Sequence, residues 1–88
     1  MVCMKLTYQE FTHQTPAGRA AYHWFLVPVG EVLEIDLTGC GNEDARWRKA
    51  FSIDSAARTY ASRQPGLQVT TSVRVPYETV TVAFRREL

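Results

Sequence analysis

Apolar and polar residues alternate most regularly near the end of the chain. Apolar or branched residues occupy every second position over nine residues: Leu67, Val69, Thr71, Val73 and Val75. This period of two is typical of a strand with one buried face. The pattern resumes from residue 80 to residue 84, after a break at residues 76–78. Two one-sided strands joined by a short break predict an antiparallel hairpin.

The segment before this hairpin has helical spacing instead. Its apolar residues fall at intervals of three and four: Ile53, Ala56, Ala57, Tyr60 and Ala61. Ser52 is suited to begin this amphipathic helix as an N-cap, and Pro65-Gly66 to end it. Because the alanines are small, the helix can lie close against a sheet.

Residues 43–51 leave two alternatives open, a separate short helix or the start of the helix that follows. Asn42 is a suitable cap, and the order of charge, acidic first and basic later, complements a helix dipole. Trp47, Ala50 and Phe51 are spaced to share one face, so we expect Trp47 to have a place in the core.

The first half of the chain reads as three strands. Residues 5–12 alternate over their first positions, and residues 19–27 are rich in aromatic and branched side chains on both faces, as in a central strand. Residues 31–37 alternate again, with Glu34 and Asp36 on the polar side.

These elements predict one α+β domain over residues 1–88. The predicted order is β-β-β-α-β-β, with the amphipathic helix packed on one face of an antiparallel sheet. The polar face of the hairpin is then exposed unless a partner covers it.

Composition narrows the class of protein only slightly. The formal net charge is +1, so there is no strong electrostatic signature of nucleic-acid binding, although the basic residues gather in the second half. Cys3 and Cys40 are the only cysteines, which favours a reducing cytoplasm. We find no signal peptide and no apolar run of the ~20 residues that a membrane helix needs, and predict no membrane partner.

Candidate chemistry is sparse. His13, His23, Cys3 and Cys40 are the soft metal ligands, and their spacing matches no metal motif. Cys40 could meet His23 as a nucleophile and base, but no third, orienting group is visible. Glu34 and Asp36 lie on a solvated strand face, which does not raise a carboxyl pKa. We therefore predict a protein that is not an enzyme, with no catalytic residue, metal or cofactor.

Binding is the function that the residues favour. We predict a contact surface made of the polar hairpin face and two groups of basic residues: Thr70, Ser72, Arg74, Thr81, Arg85, Arg86, Arg46, Arg48 and Lys49. Threonine, serine and arginine on a two-stranded ribbon suit phosphates and base edges. The same residues suit a protein surface equally well. An unpaired sheet edge is also compatible with a homodimer.

Three segments together resemble a class of small phage and mobile-element proteins: WFLVPVGE at 24–31, SIDSAARTYASRQPGLQVTTSVRV at 52–75 and VTVAFRR at 80–86. The resemblance implies a non-enzymatic inhibitor of a host defence complex. It would act like an anti-CRISPR protein, by steric occlusion of a host protein or ribonucleoprotein in the host cytoplasm. The alternative is a DNA-binding regulator that uses the same hairpin.

Overall fold

The computed structural model describes residues 3–18 and 20–86. Its strands are β1 (Cys3–Thr7), β2 (Thr12–Gln14), β3 (Ala20–Tyr22), β4 (Val32–Asp36), β5 (Leu67–Val73) and β6 (Thr79–Arg86). Its α-helices are α1 (Tyr8–Phe11) and α2 (Glu43–Ser62), and single 3-10 turns form at Trp24–Leu26 and Thr38–Cys40. The predicted α+β class with one main helix is confirmed.

Four strands form the main sheet, in the order β1-β4-β6-β5. β5 and β6 form the predicted antiparallel hairpin, and β4 pairs antiparallel with β6. The first pair differs from the prediction, since β1 runs parallel to β4. The acidic strand β4 therefore lies in the interior of the sheet, between β1 and the hairpin.

The helix α2 is continuous from Glu43 to Ser62, which decides between the two alternatives for residues 43–51. Asn42 caps it by accepting a hydrogen bond from the backbone of Ala45. Ser52 is not a cap, because it lies inside the helix. Its hydroxyl instead shares a 2.7 Å hydrogen bond with the hydroxyl of Tyr22.

The predicted face of α2 packs against the sheet. Four of its residues are buried: Ala50, Ile53, Ala57 and Ala61. They lie against β5 and β6. The core that they join includes the buried residues of β4 and β6: Leu33, Ile35, Val80, Val82 and Phe84. Trp47 does not join this core as expected, since 40% of its surface is exposed.

The expected first strand, residues 5–12, ends at Thr7. Thr7 and Glu10 form a capping box: the Thr7 hydroxyl accepts from the backbone of Glu10, and the Glu10 carboxylate accepts from the backbone of Thr7. The helical turn that follows brings Phe11 into the core, where it is fully buried.

The aromatic segment is not a central strand of the sheet. Arg19, its first residue, lies outside the described residues. Residues 20–22 pair only with β2, in a separate two-stranded sheet. The chain then turns, and the Trp24 ring packs edge-on to Phe11 and Phe84 and stacks on Tyr60. Aromatic packing on the helix side of the sheet outweighs the strand propensity of this segment.

Neither helix in the described part of the chain is long and apolar enough to cross a membrane.

Candidate partner-binding surface

The side of the main sheet away from α2 is lined by polar residues. We call it the open face, and its polar residues are Lys5, Thr7, Glu34, Asp36, Gln68, Thr70, Ser72, Thr79, Thr81 and Arg85. Strand alternation places them there, since their neighbours in sequence point into the core. The open face joins all four strands, so it is wider than the hairpin alone.

The strand register aligns these residues in rows. One row runs across the whole sheet, from Lys5 to Glu34, Thr81 and Ser72. A second row places Asp36 opposite Thr79. The two carboxylates of β4 therefore lie directly beside the threonines of β6.

Charge on the open face is mixed and partly paired. Lys5 Nζ lies 3.6 Å from a carboxylate oxygen of Glu34. Arg85 donates a 2.9 Å hydrogen bond to the side-chain oxygen of Gln68 on the neighbouring strand. The carboxylates of this face therefore lie on β4, and its cations lie on the edge strand β1 and near the end of β6.

Asp36 is also fixed by its own loop. Its carboxylate accepts hydrogen bonds from the backbone amide of Thr38 at 2.9 Å and from the Thr38 hydroxyl at 2.7 Å. These donors hold the pKa of Asp36 below its ordinary value, so its negative charge is secure at neutral pH.

A groove of about 440 Å³ opens on this side of the sheet, where the hairpin turns. Glu34 and Glu78 contribute carboxylates to its walls, Arg74 a cation and Val75 an apolar side chain. A groove with both charges and an apolar wall is suited to a protein side chain or loop.

The predicted contact residues do not all lie on one surface. Thr70, Ser72, Thr81 and Arg85 share the open face, and Arg74 lies at its rim. Arg86 faces the other way, because it lies opposite Leu67.

The other predicted basic residues, Arg46, Arg48 and Lys49, lie on α2, which packs on the opposite side of the sheet from the open face. Arg46 is engaged by two backbone carbonyls, those of Gly41 and Pro76. Arg48 pairs with Asp44 at 3.2 Å. Lys49 Nζ lies over the ring of Tyr8, 5.3 Å from its centre. One flat partner cannot contact Arg48 or Lys49 together with the centre of the open face.

Sequence reasoning missed the contribution of Lys5, Glu34 and Asp36 to this surface. Their alternation predicted an exposed polar side for each strand. They lie on the same face as the hairpin residues because of the order of the strands in the sheet. The sequence carries no local signal of this order, since β1 pairs in parallel with a strand that is distant in sequence.

Cys40 lies in a separate cleft of about 520 Å³, beyond the ends of β1 and β4. Burial raises the pKa of its thiol, and Lys49 only partly offsets this. The two histidines lie elsewhere, stacked on each other with ring centres 4.3 Å apart. His23, the possible base for this thiol, is stacked on His13 instead. A raised pKa favours the protonated thiol, which is the less reactive form.

Among residues 3–18 and 20–86, no group of three or more histidine, cysteine or acidic side chains is placed to hold a metal ion.

Comparisons with known proteins found no relative of this chain. The chain matches no protein-family model, no curated protein and no solved structure.

Proposed function

We propose that this chain is a protein-binding module that acts by contact alone, with the open face as its contact surface. The observation that carries the proposal is the row Lys5, Glu34, Thr81 and Ser72, which sets both charges and neutral hydroxyls on one sheet. Such a mosaic complements another protein surface, where opposite charges fix register and suppress wrong partners.

Mixed charge also argues against the alternative, a DNA-binding regulator. Phosphate contacts supply most of the affinity of a DNA-binding surface, and each needs a cation or a neutral donor. Glu34 and Asp36 lie beside the threonines that would approach the phosphates. Their repulsion opposes the contribution of Arg74 and Arg85.

The resemblance of the sequence to small phage proteins supports a more specific form of the proposal. In that form the partner is a host defence complex, and the bound module inhibits it by steric occlusion. Occlusion requires a contact face and needs no reactive group.

The test compares two threonine-to-lysine variants. Thr81→Lys changes the centre of the open face, and Thr59→Lys changes an exposed position on the outer side of α2. Tagged proteins are used to capture partners from nuclease-treated host-cell lysate, and the same proteins are titrated with naked duplex DNA.

If the proposal holds, a stoichiometric protein partner survives nuclease, binds Thr59→Lys normally and binds Thr81→Lys at least about 10-fold more weakly. The DNA alternative predicts the opposite response. An added cation on its binding face would tighten duplex binding and raise the salt dependence by about one unit. That result, or a partner that Thr81→Lys leaves unaffected, would overturn the proposal.

A further inference from the structure

We propose that two copies of this chain pair through strand β5, forming an antiparallel dimer with one continuous sheet. The inference concerns the protein alone and does not depend on the identity of any other partner.

Strand β5 is an edge that is open to pairing. In the described part of the chain it pairs with β6 alone and is outermost in the sheet. Its seven residues include no proline and no charged side chain, which are the usual protections of an exposed edge. Its inward residues are only half-buried, whereas those of β6 are buried. A further strand beside β5 would complete their burial.

The sequence around β5 is complementary to itself. In a two-fold antiparallel pair centred on Thr71, Val69 lies opposite Val73 of the other copy and Thr70 lies opposite Ser72. Just beyond them, Gln68 lies opposite Arg74. On the inner side Val69 meets Val73 beside the central pair of Thr71 residues, and on the outer side neutral Thr70 and Gln68 meet Ser72 and Arg74, so no like charges are opposed along the two strands.

A stripe on α2 supplies apolar surface next to this edge. Trp47, Phe51, Asp54 and Arg58 follow the spacing i, i+4, i+7 and i+11, so they share one flank of the helix. The flank faces β5, because Thr71 donates a hydrogen bond to Asp54 and Arg58 reaches the Thr71 hydroxyl.

Trp47 and Phe51 continue this stripe, with ring centres 5.2 Å apart. Their exposed fractions are 40% and 56%, high values for aromatic residues of a small domain. In a two-fold dimer, the corresponding helix flank of the second copy covers them. Edge pairing and the stripe of each copy would thus contribute to the same seam.

Such an interface is small, so the dimer should be a weak and reversible one, with a dissociation constant of order micromolar. It leaves the open faces of both copies uncovered and side by side.

Sedimentation of the full chain over a range of concentrations tests the proposal. The wild type should shift from monomer to dimer mass. Phe51→Lys should raise the dissociation constant at least about 10-fold. Thr59→Lys, at an exposed position of α2 outside the stripe, should leave it unchanged. A wild type that stays monomeric up to about millimolar concentration would overturn the proposal, as would equal effects of the two variants.

Two double variants test the register. Thr70→Lys with Ser72→Lys opposes like charges twice across a seam centred on Thr71 and should weaken the dimer about 10-fold. Thr70→Lys with Ser72→Glu opposes unlike charges twice and should strengthen it. Circular dichroism checks that each variant is folded. If both variants change the dissociation constant equally, β5 does not form the seam.

Discussion

Arg46 and Pro76 connect the start of α2 to the hairpin turn, although they lie 30 residues apart in sequence. The guanidinium of Arg46 donates two hydrogen bonds to the carbonyl of Pro76, at 3.2 and 3.3 Å. A third hydrogen bond, 3.0 Å long, goes to the carbonyl of Gly41. This arginine therefore fixes two loops against the first turn of the helix.

Removing this side chain should destabilise the fold. We expect Arg46→Ala to lower the free energy of unfolding by about 1–2 kcal/mol, since hydrogen bonds from a charged donor are lost. Arg48→Ala is the matched control, because Arg48 forms only an exposed ion pair with Asp44, and it should cost less than about 0.5 kcal/mol. Urea denaturation measures both, and equal stabilities would contradict the assignment.

Truncation of the two phenylalanines Phe11 and Phe51 should reduce stability to very different extents. Phe11 is fully buried, so Phe11→Ala should cost about 3–5 kcal/mol in the free energy of unfolding. Phe51 is more than half exposed, and Phe51→Ala should cost less than about 1 kcal/mol when measured on the monomer. Thermal and urea unfolding at low protein concentration provide the comparison. Similar losses would show that α1 does not carry Phe11 into the core.

Much of the fold was predictable because its signals are local. The alternation of residues 67–75 and 80–84 predicted the hairpin, and the spacing from Ile53 to Ala61 predicted the buried face of α2. Thr7 and Glu10 also have the spacing of a capping box, a local signal for the helical turn at Tyr8 that the predicted strand over residues 5–12 overlooked. The pairing of β1 with β4 has no such signal, because parallel strands meet only through tertiary contacts.

The candidate surface was predictable only in part, for the same reason. Alternation predicted that Thr70, Ser72, Thr81 and Arg85 share a face, since that depends on the hairpin alone. It could not show that Glu34 joins them, because this requires the order of all four strands. It also could not show that Arg46 is engaged by the carbonyl of Pro76, far along the chain.

Asp36 should make stability depend on pH in the acidic range. Its pKa in the folded chain lies below the ordinary value of 3.8, because the backbone amide and then the hydroxyl of Thr38 donate to the carboxylate. A lowered pKa means that the stabilisation is present above 3.8 and is lost as the pH falls through the folded value.

Asp36→Asn should therefore be less stable than the wild type at neutral pH, with a difference that shrinks below the ordinary pKa. Urea denaturation between about pH 6 and pH 2 measures this. Thr38→Ala removes one of the two donors and should reduce the pH dependence without abolishing it. A difference between wild type and Asp36→Asn that stays constant over the range would refute the role of the two hydrogen bonds.

Tyr8 should make stability depend on pH in the alkaline range. Burial first, and then the neighbouring phenol of Tyr22, raise the pKa of Tyr8 from 10.0 to about 12. An unfolded chain loses this proton at lower pH than the folded one, so stability is complete below pH 10 and falls as the pH rises towards 12.

Tyr8→Phe should remove this alkaline loss while keeping the ring beneath Lys49. The effect is about 1–2 kcal/mol, less than the two pKa values alone imply, because solvent reaches part of the ring. Tyrosinate absorbance is titrated in the wild type and in Tyr8→Phe, and the difference between the two curves gives the titration of Tyr8 alone. A difference curve with its midpoint near the ordinary pKa would mean that the phenol is solvated, and that α1 does not press Tyr8 against Tyr22 and the helix.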